Sequence, residues 1–175
     1  MAAKKTKILV VDDEEKYRQV YSTLLEENGY QVIAAASGDN ALSIIEKEQV
    51  NIVLLDLILP EINGIKILKQ IKEKWGQTIE VIMVTGYGSI ESAVSAMKHG
   101  AFSYFVKSHD PETLLLEIEK AEKMNLLLKK NKIYKKQLAD EDYLLDSKNE
   151  KMKNTIDIAR RAAASSANIL ITGES

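Results

Sequence analysis

The chain has 175 residues, 45% of them hydrophobic, enough to bury a full core, and its 24 basic and 26 acidic residues nearly cancel, so no global field exists to hold DNA or an anionic membrane. Cysteine is absent, which excludes disulfides, thiolate catalysis and cysteine metal sites. The N-terminal lysines are followed by only Ile8-Leu9-Val10-Val11 before Asp12-Asp13-Glu14-Glu15, too short an apolar run for a signal peptide or membrane span, so a soluble, cytoplasmic protein is expected.

Five short apolar runs read as strands: Ile8 to Val11, Tyr30 to Ala35, Ile52 to Leu55, Val81 to Val84 and Tyr104 to Val106. Segments of helical period separate them. Tyr17, Val20, Tyr21, Leu24 and Leu25 make the first stripe, Ala41, Leu42, Ile44 and Ile45 the second, and Ile65, Leu68 and Ile71 the third. The fourth helix carries Ile90, Ala93, Val94 and Met97 and stops at Gly100, a favoured residue just past a helix end. Asp110-Pro111 supplies a cap and a first-turn proline for the fifth. Strict alternation of strand and helix predicts a doubly wound α/β domain, with a parallel sheet covered on both faces.

Ligands of such sheets bind beyond the carboxyl ends of the strands, where strand order reverses. Asp12-Asp13, Asp56, Thr85 and Lys107 follow or end the first, third, fourth and fifth strands. Singly, they read as a helix cap, a strand end, a turn hydroxyl and a surface charge. Packing alone calls for no such cluster, and converging carboxylates repel one another unless a cation sits among them. A hard divalent ion such as magnesium suits the oxygen ligands. Asp56 can then act as a nucleophile toward a phosphoryl group, with Lys107 as a second positive point and the Thr85 hydroxyl as a donor to a phosphoryl oxygen. Gly86 would leave the backbone free to approach closely.

The pattern Asp12-Asp13, Asp56-x-x-x-Pro60-x-x-Asn63-Gly64, Thr85-Gly86, and Gly100-Ala101 followed by Tyr104-x-x-Lys107 resembles a two-component response regulator receiver domain. The resemblance implies a flavodoxin-like five-stranded sheet of order 2-1-3-4-5, with Asp56 as phosphoacceptor for a sensor histidine kinase. It also implies magnesium or manganese held by Asp13, Asp56 and the backbone carbonyl of Ile58, with Asp12 assisting through water. Thr85 and Tyr104 would form the switch pair, and Lys107 would contact the phosphate. The family usually has proline after that lysine, often through a cis bond, whereas this chain has Ser108. Without proline the cis form costs about 2.5–4 kcal/mol, so the Lys107-Ser108 bond is either strained or trans.

The expected receiver covers residues 4–123, a helical linker 124–149, and the beginning of a further domain 150–175. Glu117 to Leu138 contains no proline or glycine, which extends the fifth helix past the receiver. From Met124 a seven-residue pattern places Met124, Asn131 and Leu138 in one column and Leu127 and Tyr134 in another, as in a short coiled coil with a register-setting asparagine. An amphipathic helix packing on its own domain is the competing reading. Lys129, Lys130, Lys132, Lys135 and Lys136 lack interleaved aromatics beyond Tyr134 and read as a solvated face, so this chain is expected to bind no DNA. Met152 to Ala164 reads as a helix leading into Ala167-Asn168-Ile169-Leu170-Ile171 and Thr172-Gly173-Glu174-Ser175, a strand and glycine turn without the lysine a P-loop needs. Together with the receiver, this tail resembles sigma-54-dependent (NtrC-like) transcriptional activators, and implies a truncated AAA+ ATPase domain.

The leading expectation is a phosphorylation-driven switch, not an enzyme in its own right, that changes homodimer contacts through the linker or through the fourth helix, fifth strand and fifth helix. Two alternatives stand beside it. A magnesium-dependent aspartyl-phosphate phosphatase usually needs a second acid two residues after its nucleophile, where this chain has Ile58. A phosphate-independent dimerisation module would keep the fold and not need Asp56.

Overall fold

The computed structural model describes residues 6–60, 62–141 and 149–163, so the expected strand and glycine turn of 167–175 lie outside the described residues. Strand and helix alternate from β1 to α5, and a further helix follows: β1 (Lys7–Val11), α1 (Glu15–Glu27), β2 (Gln31–Ala35), α2 (Gly38–Lys47), β3 (Ile52–Asp56), α3 (Gly64–Trp75), β4 (Glu80–Thr85), α4 (Ile90–Lys98), β5 (Ser103–Val106), α5 (Pro111–Glu141) and α6 (Glu150–Ala163). All four strand pairings are parallel, and the spatial order is β2-β1-β3-β4-β5. One compact unit ends at Lys129 and a second begins at Lys130.

Successive side chains of a strand point to opposite faces, so each central strand must feed two cores. Leu9, Val11, Val53, Leu55, Val81 and Met83 pack on one face with Ala41, Ile45, Ile67, Leu68, Ile71 and Ala96, which come from α2, α3 and α4. Ile8, Val10, Ile52, Leu54, Ile82 and Val84 pack on the other with Tyr21 and Leu25 of α1 and Leu114, Ile118 and Ala121 of α5. Burial on both faces is why these strands carry no polar alternation. Glu80 is the exception inside β4. It is buried at the end of the strand remote from Asp56, where Lys72 of α3 lies 3.3 Å from its carboxylate and also donates to the Ile79 carbonyl at 2.8 Å.

Local chemistry sets the helix ends. Ser37, Asn63 and Ser89 accept from backbone N–H groups of the first turns of α2, α3 and α4, and Asp110 Oδ1 accepts from Glu112 N at 3.0 Å. Gly100, at φ 88°, takes the left-handed conformation that closes α4, with its N–H donating to Met97 O at 3.0 Å.

The predicted core stripe of α4 is corrected by the structure. Ile90, Val94 and Met97 face outward, Ile90 with 85% of its surface exposed, while Ala96 is the residue that α4 buries. Small side chains let α4 lie close to the sheet, and its larger apolar residues are left outside.

The expected limit at residue 123 falls inside α5, and the first compact unit continues beyond it. Leu114, Ile118, Ala121 and Asn125 recur at helical spacing and are buried. Asn125 donates to the Asn51 carbonyl at 3.0 Å, tying the helix to the turn before β3. Leu116 and Leu127 are exposed on the opposite side, whereas Met124, itself largely exposed, borders a groove that Gly100 and Phe102 of the same unit also line. Asn131 is exposed as well.

Replacing Asn125 with alanine should lower unfolding free energy by about 1 kcal/mol, the usual worth of one such bond, because Asn51 O keeps its second donor, Glu80 N. Urea unfolding checks this; an unchanged midpoint means that the side chain is not an anchor.

Candidate functional site

The strand register brings four chain segments to one rim. Val11 pairs with Leu55, Asp56 with Val84, and Thr85 with Val106. Backbone bonds continue past the strands, from Asp12 N to Ala35 O at 3.2 Å, Leu57 N to Val84 O at 2.9 Å and Lys107 N to Thr85 O at 2.7 Å. The residues just beyond β1 and β5 are therefore held almost as firmly as the strands themselves.

At this rim Lys107 Nζ lies 2.7 Å from Asp12 Oδ2 and 2.7 Å from Asp56 Oδ2, with side-chain exposures of only 3%, 2% and 5% respectively. Glu14 Oε1 stands at 3.6 Å from the same ammonium. Carboxylate oxygens of Asp12, Asp13 and Asp56 all lie within 4.8 Å of one another. An oxygen-only set this close matches the ligand preference of a hard divalent cation, so the residues present fit magnesium.

Each acid is also oriented by the backbone. Asp12 Oδ1 accepts from Glu14 N and Asp56 Oδ1 from Ile58 N, both at 3.0 Å. Gly64, the first residue of α3, presses on the Asp56 carbonyl: a Cβ there would stand 2.1 Å from Asp56 O, an impossible approach for any other residue without moving the loop. Ile58 and Asn63 form a bridge that closes this loop, and Gly64 N donates to Leu57 O at 2.9 Å.

The charges are unequally compensated. Burial disfavours the Lys107 ammonium, but hydrogen bonds to Asp12 and Asp56 outweigh it and hold the lysine pKa well above its ordinary value. Asp12 is pushed up, first by burial and then by the neighbouring Asp56 charge, against the opposing pull of Lys107. The two directions have different leading causes: the lysine gains two acidic partners, whereas Asp12 is raised first by its burial.

The remaining predicted residues lie around this cluster. Thr85 is fully buried, and its hydroxyl closes a turn, accepting from Tyr87 N at 3.2 Å and donating to Tyr87 O at 3.3 Å. Tyr104 is partly buried and its hydroxyl shares a 2.7 Å hydrogen bond with Ser92 Oγ. Ser92 in turn completes a capping box with Ser89 at the start of α4. At Gly86 a Cβ would meet nothing within 4 Å, so no other part of the chain presses on it. Its small size is not required by packing in this structure.

No peptide bond among the described residues is cis, so Lys107-Ser108 is trans. Lysine reaches both acids without the proline. Three contributors were not evident in the motif. Arg18 Nη1 donates to the carbonyls of Asp12 and Asp13 at 2.7 Å each, pinning the acidic turn to α1. Tyr17 covers Lys107, its ring centroid 4.0 Å from Nζ. Ser92 holds Tyr104. Tyr17 and Arg18 stand in the first turn of α1, shortly after the acids, a place that does not by itself mark either side chain.

Comparisons with known proteins agree with this geometry. A family model described as "Response regulator receiver domain" matches residues 8–119. The alginate biosynthesis transcriptional regulatory protein AlgB of Pseudomonas aeruginosa is 33% identical over 172 residues, covering 98% of this chain and 38% of AlgB. Regulatory protein AtoC of Escherichia coli is 33% identical over 172 residues, covering 97% of this chain and 37% of AtoC. The chain thus spans less than two-fifths of these relatives. Among solved structures, a response regulator receiver domain protein from Clostridium thermocellum superposes with a TM-score of 0.67 at 35% identity, covering 70% of this chain and 98% of that one. NtrX from Brucella abortus, solved with ADP, gives a TM-score of 0.71 at 30% identity over 93% of this chain and 36% of that chain. With the sheet order, the acidic rim and the matched residues in accord, the chain belongs to the response regulator receiver domain family of two-component systems.

Proposed function

We propose that Asp56 accepts a phosphoryl group from a sensor histidine kinase, and that the resulting charge changes the contacts made by α4, β5 and α5. The observation that carries this reading is the buried pair of acids sharing Lys107 at 2.7 Å, with Asp13 completing an oxygen cluster.

In the proposed step an Asp56 carboxylate oxygen bonds to phosphorus while the bond from phosphorus to the donor imidazole breaks, and the electron pair leaves with the imidazole. Asp13, Asp56 and the Ile58 carbonyl would hold magnesium, with Asp12 assisting through water, and the ion would supply positive charge to the transferring oxygens. Lys107 already stands at Asp56 and supplies a second positive charge on the same side of the cluster. For Thr85 to donate to a new phosphoryl oxygen, its hydroxyl must leave the Tyr87 backbone. That exchange links Asp56 to the loop before α4, whose Gly88 lies against Tyr104 and Val106 of β5. Tyr104 and Ser92 are then the points at which α4 changes its seat.

The outward Ile90, Val94 and Met97 of α4 and the Leu116, Met124 and Leu127 face of α5 are apolar surfaces that a homodimer would cover. Relatives aligned over 97–98% of this chain extend the likeness past the receiver, which supports a three-part reading: receiver 4–123, linker 124–149 and an AAA+ beginning 150–175. The whole regulator would act as a sigma-54-dependent transcriptional activator. Among the described residues no helix is long and apolar enough to cross a membrane.

Acetyl phosphate with magnesium should add one phosphoryl group to the wild type and none to Asp56→Asn, read by intact-protein mass spectrometry. Equal labelling of the two proteins rejects the site.

Because the Asp12 pKa is raised by folding, its stabilising contribution is complete below the ordinary aspartate value and is lost as pH rises through the folded value. At neutral pH without divalent ions, Asp12→Asn should therefore melt a few degrees higher than wild type. Magnesium at about one hundred times its Kd should stabilise the wild type by about 2.7 kcal/mol and the variant by clearly less. A variant that melts lower in both conditions contradicts the charge balance.

For the linker, Leu127→Asp should weaken self-association about tenfold or more by placing a charge in the apolar seam, measured by sedimentation. This is a cleaner test than truncation near Lys123, which would also remove the buried Asn125. Unchanged sedimentation removes the linker as the dimer element.

A further inference from the structure

The lysine at the centre of the site is held by one neighbour that phosphoryl chemistry does not require. Lys107 Nζ has Asp12 and Asp56 at 2.7 Å and Glu14 at 3.6 Å. The face of Tyr17 also covers it at 4.0 Å from the ring centroid. An aromatic face carries negative quadrupolar potential and attracts an ammonium, most strongly where water is excluded. Here the lysine side chain is 3% exposed, so the condition is met.

Tyr17 is itself fixed in place. It stacks on the buried Tyr21 with centroids 6.2 Å apart and planes 20° apart, and it packs against the core shared by α1 and α5. Lys107 has a flexible four-carbon stem, and Ser108 follows it through an ordinary trans bond. The position of its charge therefore depends on what surrounds its tip. Two acids pull the ammonium toward the site, and the ring closes the side that would otherwise be open to water.

We propose that Tyr17 is a positioning residue for Lys107: its ring holds the ammonium over the two carboxylates and keeps water from it, so that the lysine meets an incoming phosphoryl group with little screening. The kinetic part rests on the phosphoacceptor reading of Asp56, whereas the placement of the lysine under the ring does not.

Two variants of the full 175-residue chain separate the ring from the hydroxyl, Tyr17→Phe and Tyr17→Leu. The first readout involves no phosphate. Proton NMR of the wild type should show the Lys107 εCH2 signals moved upfield by the ring current, with the shift kept in Tyr17→Phe and lost in Tyr17→Leu. The second readout is the rate of labelling by acetyl phosphate with magnesium, together with the lifetime of the label. Labelling should slow by up to about thirtyfold in Tyr17→Leu, the factor that full loss of a desolvated cation–π contact represents, and stay within about twofold in Tyr17→Phe. The label should also hydrolyse faster in Tyr17→Leu, because water gains access.

A merely structural tyrosine would lower the thermal midpoint of Tyr17→Leu without this pattern in the lysine signals. Wild-type labelling by Tyr17→Leu, or equal slowing in both variants, overturns the positioning role. Absence of the upfield shift in the wild type overturns the lysine placement, whether or not either variant folds. Failure of the wild type to label, with the shift present and lost only in Tyr17→Leu, overturns the phosphoacceptor reading and leaves the lysine placement standing.

Discussion

Two buried carboxylates share one ammonium at the carboxyl rim of a parallel sheet, and most of the local structure follows from that sharing. A carboxylate out of water is tolerated only with a partner. Asp12 and Asp56 have the same one, Lys107, at 2.7 Å each. With Asp13 added, three acids face one base within the cluster, so a deficit of positive charge remains. A divalent cation would answer that deficit, and under the proposed function a phosphoryl group brought in with it would find positive charge already in place. Backbone contacts hold the acids in place beside this deficit: Arg18 on the Asp12 and Asp13 carbonyls, the Ile58 N–H on Asp56, and the Gly64 backbone against the Asp56 carbonyl. Each restrains a group that repulsion would otherwise push aside.

The same rim is connected to a surface. Thr85 lies one residue beyond the β4 partner of Asp56, and its hydroxyl is bonded to Tyr87 rather than left free. From Tyr87 the loop leads into the Ser89 and Ser92 capping box, and Ser92 reaches Tyr104 on β5. A change at Thr85 thus has a short, hydrogen-bonded route to the start of α4. Because α4 buries Ala96 and leaves Ile90, Val94 and Met97 outside, moving it would alter an apolar exposed surface at little cost to the core. In this account a weakly seated helix is what lets a local charge act at a distance.

Much of this was legible in the sequence because central parallel strands advertise themselves as unbroken apolar runs, and residues placed just after them are fixed by the ladder. Asp12, Asp56, Thr85 and Lys107 could be read that way. Tyr17 and Arg18 could not, because position on a helix tells little about which side chain folds back over a neighbouring loop. The α4 stripe was misread for a related reason: a helical period marks an apolar face without saying whether that face meets the core, and here alanine meets it instead. Glu80 argues against a strand until Lys72 is seen beside it, and that contact joins α3 to β4. Asn125 falls inside the expected linker 124–149, yet its amide finds the carbonyl of Asn51, 74 positions away.

Under the proposed function these acids form a cation site whose charge is balanced jointly by metal and lysine. Its most direct test is a magnesium titration of the metal-free protein followed by backbone amide NMR. Saturable shifts should concentrate at residues 12–14, 56–58 and 107, and should be lost in Asp13→Asn. Shifts spread over unrelated surface acids, or the same response in the Asp13 variant, would contradict it.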